Sequence, residues 1–271
     1  MTQILDLLPM LAILLAVGAF AGILAGLLGV GGGIVLVPAY FAVFASMGYA
    51  SQSLMQICVA TSLATIIVTS MRSVMAHHRK GAVDWPVLKS WAPWIAAGAL
   101  VGVLVVSRLQ TATLQVIFGC VALFIAGYMA LGRTEWRLGS EMPRGIKRAV
   151  LAPIVGFLSV LMGIGGGSFG VPLMTLHGMP IHRAVATAAG FGFTIALPSA
   201  VAFLLVPVPD APPFTLGAIN IAAFLITITM TLTTAPLGAA LAHRLDPKPL
   251  KRVFAVFLAV VALNMLRKVF F

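Results

Sequence analysis

The chain predicts an all-α integral membrane protein of about ten transmembrane segments, built as two inverted-topology repeats of five with a glycine-broken hairpin in each. Three observations carry this expectation. Hydrophobic residues make up 61% of the chain and charged residues 8%, and several apolar runs approach or exceed the ~18 residues of a membrane span. One glycine-rich phrase occurs twice, GVGGGIVLVP at 29–38 and GIGGGSFGVP at 163–172. The basic loops of the two halves, finally, fall at different places along otherwise matching sequences.

The match between halves extends beyond the glycines. Val59-Ala60-Thr61 corresponds to Val185-Ala186-Thr187, and Gly81-Ala82-Val83-Asp84 to Gly217-Ala218-Ile219-Asn220. From there an offset of 136 holds without a gap, through Arg108-Leu109 with Arg244-Leu245 and Phe118 with Phe254 to Met129 with Met265. The organisation is a first repeat over 1–131, a junction loop over 132–147 and a second repeat over 148–271.

Five apolar segments fall in each repeat, at about 7–28, 33–49, 53–75, 86–106 and 111–131, then 149–162, 168–178, 183–206, 214–242 and 250–271. The first has no basic region before it and has a counterpart in the second half, so it reads as mature protein and not as a signal peptide. Cys58 and Cys120 both lie in apolar segments and read as buried packing residues. Gly18, Gly22 and Gly26, four apart, read as a close-packing face, and small-residue faces of this kind point to a homodimer.

Loop charge sets the orientation. Arg72, Arg79, Lys80 and Lys89 flank the loop between segments three and four, and the junction carries Arg133, Arg137, Arg144, Lys147 and Arg148. The corresponding loop of the second half holds only Asp210, and its basic cluster, Arg244, Lys248, Lys251 and Arg252, has moved one loop on. Placing basic loops in the cytoplasm puts fourteen basic residues inside and three outside. The halves are therefore expected to be inverted, with an odd number of crossings each and both termini outside the cytoplasm. The net charge of +11 serves orientation in this reading and not nucleic-acid binding.

Glycine is about 1 kcal/mol worse than alanine inside a helix, so two matched triplets mark deliberate helix breaks. Non-helical backbone at membrane depth must find partners or line a wet cavity. Gly31, Gly32 and Gly33 with Gly165, Gly166 and Gly167 are accordingly the first candidates for a binding site between the repeats. Each triplet opens a helix whose free N–H groups and positive dipole end suit an anion. Ser168 adds a hydroxyl beside the second triplet, and Thr61, Ser62 and Thr187 are further hydroxyl candidates. Arg72 either snorkels to the interface or draws the anion in. No Asp or Glu stands mid-segment to balance a cationic substrate or relay protons, which again favours an anion. Neither a metal cluster, a cofactor motif nor a catalytic group set appears, so an enzyme is not expected.

The doubled GxGGG-x4-P phrase, the VATS and VATAA stretches and AHHRKGAVDW at 76–85 resemble the sulfite exporter TauE/SafE family over nearly the whole chain. The resemblance implies export of small sulfur oxyanions or organosulfonates, such as sulfite or sulfoacetate, across a bacterial inner membrane. Two positions depart from internal symmetry: Ala188 stands where the first half has Ser62, and Asn220 where it has Asp84. A passive anion channel or facilitator, or a carrier of small carboxylates, would use the same cradle. The coupling ion, H+ or Na+, is left open, as is whether segments one and two of each half cross fully or are re-entrant.

Overall fold

The computed structural model describes residues 2–28, 32–131, 136–242 and 247–270. Ten helices follow the predicted segments: α1 (Thr2–Leu28), α2 (Gly33–Ser46), α3 (Leu54–Arg79), α4 (Trp85–Val106), α5 (Thr111–Leu131), α6 (Gly145–Leu161), α7 (Gly167–Leu176), α8 (Ile181–Leu204), α9 (Ile221–Ala242) and α10 (Pro247–Phe270). Boundaries shift by a few residues in several helices, most of all at the ninth segment. The segment expected from 214 begins with a small antiparallel hairpin, β1 (Thr215–Leu216) and β2 (Ile219–Asn220), and helix starts only at Ile221. Thr61 and Thr187 are 126 apart whereas Asp84 and Asn220 are 136 apart, so the stretch from Thr187 to Asn220 is ten residues longer than its counterpart, and the hairpin lies within it.

Among the described residues five helices are long and apolar enough to cross a bilayer: α3, α4, α5, α8 and the 221–238 stretch of α9. The two helices opened by glycine triplets are short. With 14 residues in α2 and 10 in α7, they extend about 21 and 15 Å against a hydrocarbon core of about 30 Å. Outer faces carry bare apolar side chains such as Leu104, Phe124 and Val256, the surface of a protein solvated by lipid.

The core is built on α3, buried along most of its length, and on α8, which packs against it. Around this pair the packing is reciprocal: α1 lies on α9 and α4 on α6, α4 also touches α8 as α9 touches α3, and α5 pairs with α10. The first helix of each half is thus paired with the fourth of the other. Glycines allow the approach. A methyl group at Gly98 would sit on the Pro153 carbonyl, one at Gly156 on the Ile95 carbonyl, and one at Gly238 on the Ile23 carbonyl. Gly18 and Gly22 face Thr227, Thr231 and Thr234 of α9, as a close-packing face should. Cys58 is buried as expected, but Cys120 is exposed, because it falls on the outward side of α5.

This packing makes a direct prediction. Gly98→Ala and Gly156→Ala force backbone apart and should destabilise by about 1–3 kcal/mol, read as a lowered unfolding temperature in detergent. Gly127→Ala, with nothing within 4 Å, should unfold as the parent does. Equal melting of all three would break the packing account.

Candidate functional site

Both glycine phrases reach the α3–α8 pair. Gly163 ends α6 at φ +62, with the Gly163 N–H on the Val160 carbonyl and the Ile164 N–H on the Ser159 carbonyl. This left-handed cap lets the chain leave α6 without stranding its last carbonyls. The Gly163 carbonyl accepts from Ser62 Oγ of α3 at 2.7 Å. It also lies where a side chain at Gly33 would have to go, beside Ile66 and Ile164. The opening residue of α2 therefore touches the glycine loop of the other half. Gly32, at φ +75, turns the chain against the Ala21 carbonyl of α1. On the far side Gly166 packs on Phe191 and the Gly192 amide of α8, and Gly192 in turn faces Ser70 of α3.

Of the residues singled out from sequence, Gly32, Gly33, Thr61, Ser62, Gly165, Gly166, Gly167, Ser168 and Thr187 are all buried; Gly31 lies outside the described residues. The α2 ladder begins with Val35 and Leu36 amides on the Gly32 carbonyl, and that of α7 with the Gly170 amide on the Gly166 carbonyl. The amides of Gly33, Ile34, Gly167, Ser168 and Phe169 precede those ladders, where a helix has donors to offer. Ser168 Oγ is buried and has no hydrogen-bond partner among the described residues. It lines a cavity of about 690 Å³ between α5 and α7, whose described walls are largely aromatic (Phe124, Tyr128, Trp136, Phe169) and also carry Arg137. Arg72 is exposed on the later part of α3.

The two threonines have partners that spacing alone did not reveal. Thr61 Oγ1 accepts the Asn220 backbone N–H at 3.0 Å, and Thr187 Oγ1 accepts the Asp84 N–H at 2.9 Å. Asp84 and Asn220 are themselves caps, through Asp84 Oδ1 to the Val87 N–H and Asn220 Oδ1 to the Ala223 N–H. Each central helix thus holds the starting turn of another helix in place, α3 that of α9 and α8 that of α4. An acidic or amide residue directly before an apolar run is a helix-start signal, and the matched Asp84 and Asn220 carried it. Their difference is local: Asp84 Oδ2 pairs with Arg183 at 3.0 Å, while Asn220 Nδ2 donates to the Pro213 carbonyl and Thr215 Oγ1. With the Arg183 side chain 53% exposed, the ion pair contributes at most about 1 kcal/mol.

These features define a multi-pass helical membrane protein whose two halves meet through broken helices, the architecture of a membrane transporter. The sequence matches the family described as sulfite exporter TauE/SafE over residues 14–265, and the chain belongs to that family. It is 32% identical to a probable membrane transporter protein of Haemophilus influenzae, over 94% of this chain and 97% of the relative. It is 26% identical to one of Methanocaldococcus jannaschii, over 96% and 97%, and 25% identical to YunE of Bacillus subtilis, likewise named a probable membrane transporter protein, over 94% and 96%. No solved structure matches the chain.

Replacing Thr61 by Val keeps the shape and strands a buried amide, an effect of about 1–3 kcal/mol. Thr187→Val should do less, because the Asp84 amide is only partly buried, and serine at either place should restore most of the stability. Unfolding midpoints in detergent check the order; a Thr61→Val protein as stable as the parent would contradict it.

Proposed function

We propose that the protein carries small anions across a bacterial inner membrane by alternating access, with the described glycines of both phrases and the helix starts behind them as the binding cradle. The observation that carries the reading is the contact of Gly33 with the Gly163 loop beside Ser62. It brings a helix-opening residue of one half against the helix break of the other, in a buried place without a carboxylate among the described residues. Backbone N–H groups would bind the oxyanion, with Ser168 as the hydroxyl still free to donate. Thr61, Ser62 and Thr187 would act mainly by holding the cradle, since each already has a partner across the α3–α8 core. Substrates of the sulfite, sulfoacetate or organosulfonate class, moved outward, fit the family.

The repeats are read as inverted, with both termini outside the cytoplasm. Reciprocal pairing of α1 with α9 and α4 with α6 supports a pseudo-twofold relation, and loop charge supports its direction. Loops also group accordingly. The Leu138 N–H bonds the Leu176 carbonyl and Arg183 pairs with Asp84, uniting the basic connections, while the Thr111 N–H bonds the Gln52 carbonyl among connections expected outside. A homodimer and coupling to H+ or Na+ belong to the same proposal.

Two experiments bear on it. Radiolabelled sulfite and sulfoacetate should enter proteoliposomes saturably, and Gly32→Leu with Gly166→Leu should lower the rate at least tenfold while the protein stays monodisperse and helical. Unchanged flux would remove the cradle. A dependence on an H+ or Na+ gradient would name the coupling ion; non-saturating flux would make the protein a channel. For topology, Lys80→Cys and Asp210→Cys, in corresponding loops, should react with an impermeant maleimide from opposite sides of the membrane. Reaction from one side would make the repeats parallel.

A further inference from the structure

A second cavity, of about 490 Å³, lies where the basic connections gather, between the 140–148 segment, the α7–α8 turn and the start of α4. Three arginines line it, Arg144, Arg148 and Arg183, against two carboxylates, Asp84 and Glu141. Both carboxylates are taken: Glu141 pairs with Arg144 at 3.3 Å and Asp84 with Arg183 at 3.0 Å. Among the described residues that line the cavity, Arg148 is the arginine without a carboxylate partner. Its Nε is enclosed and has no hydrogen-bond partner among the described residues. Arg148 as a whole is half-buried at the cavity wall, a cationic donor set with no acceptor among the described residues. A guanidinium fork is the side chain best matched to planar or tetrahedral oxyanions.

The cavity also leads somewhere. Trp91 forms part of its wall and is stacked on Phe191, ring centroids 6.2 Å apart. Phe191 is the residue that packs against Gly166. One aromatic pair therefore separates the basic cavity from the second glycine phrase. Asp84, on the same wall, donates its amide to Thr187 and caps α4, so the mouth of the cavity is tied to the α3–α8 core by backbone.

We propose that this cavity is an oxyanion-binding vestibule in which Arg148, assisted by Arg183 and Arg144, holds a sulfite, sulfate, phosphate or phosphoester group ahead of the Trp91–Phe191 pair. Its position ahead of the cradle rests on the transport reading above; the binding site itself does not. Arg148 acts as a ligand to the anion and not as a topological charge, so removing it should lower affinity while leaving insertion unaltered.

Radiolabelled sulfate binding to the full chain in phosphatidylcholine nanodiscs tests this. Arg148→Gln should weaken binding about tenfold, the size of one charge-assisted hydrogen bond. Arg148→Lys should recover part of it, and Arg108→Gln, an exposed arginine in another loop, should leave it unchanged. Ser140→Cys in a Cys120→Ser background locates the site, since Ser140 lines the cavity. Sulfate should slow its reaction with a sulfonate-bearing thiol reagent when Arg148 is present and not when it is Gln. Binding and protection that survive Arg148→Gln would overturn the vestibule. Phosphatidylglycerol in the discs separates the sources: competition with sulfate assigns the oxyanion to a lipid headgroup, and its absence to a soluble anion. Sulfite flux measured alongside keeps the two readings apart. Arg148-dependent binding without flux would remove the transport proposal alone, and flux with Arg148-independent binding would remove the vestibule alone.

Discussion

A helix that begins inside a membrane protein starts with amides that have no carbonyl behind them, and everything near the centre of this fold answers to that constraint. The answer is given twice. Thr61 takes the amide at the head of α9, and Thr187 the amide at the head of α4. Because the acceptors sit on α3 and α8 and the donors on helices packed against them, each bond ties a central helix to a neighbour distant in sequence. Ser62 serves the opposite need, donating to the buried Gly163 carbonyl where α6 breaks. Three short hydroxyl side chains thereby hold two helix starts and one helix stop against the α3–α8 pair.

Much of this was legible beforehand, and the limit of legibility has a physical cause. Apolar runs and glycine triplets act locally, so ten helical segments and the breaks ahead of α2 and α7 are legible from the runs and triplets themselves. The partners of Thr61 and Thr187 could not, because a hydroxyl in an apolar run has many acceptors and donors within reach and spacing does not choose among them. Arg148 illustrates the same limit. In the sequence it is one of several cations that orient the chain; only the pairing of Asp84 and Glu141 with other arginines sets it apart among the described residues of that cavity. The start of α9 was misplaced because the hairpin before it is apolar enough to resemble helix.

The two halves share a plan and differ in lining. On α3 the positions one and two turns after Thr61 are Thr65 and Thr69, and Tyr40 of α2 bonds Thr65 at 3.2 Å. On α8 the corresponding positions after Thr187 are Phe191 and Ile195, with Trp91 stacked on Phe191. One seam is a run of hydroxyls and the other is rigid and aromatic. The departure of Ala188 from Ser62 is part of this wider difference, and it gives the two approaches to the centre unlike chemistry.

The pairing of α1 with α9 has a consequence for the order in which the molecule is assembled. Residues 29–220 separate those helices, so α1 is made and inserted long before the surface it packs on exists. At the usual pace of synthesis that interval is roughly 10–40 seconds. Throughout it the Gly18–Gly22 face, shaped to meet a neighbouring backbone, is covered only by lipid or by other protein. Neither half can close its own core, and the nascent chain must keep its first helix waiting until nearly its last is in place.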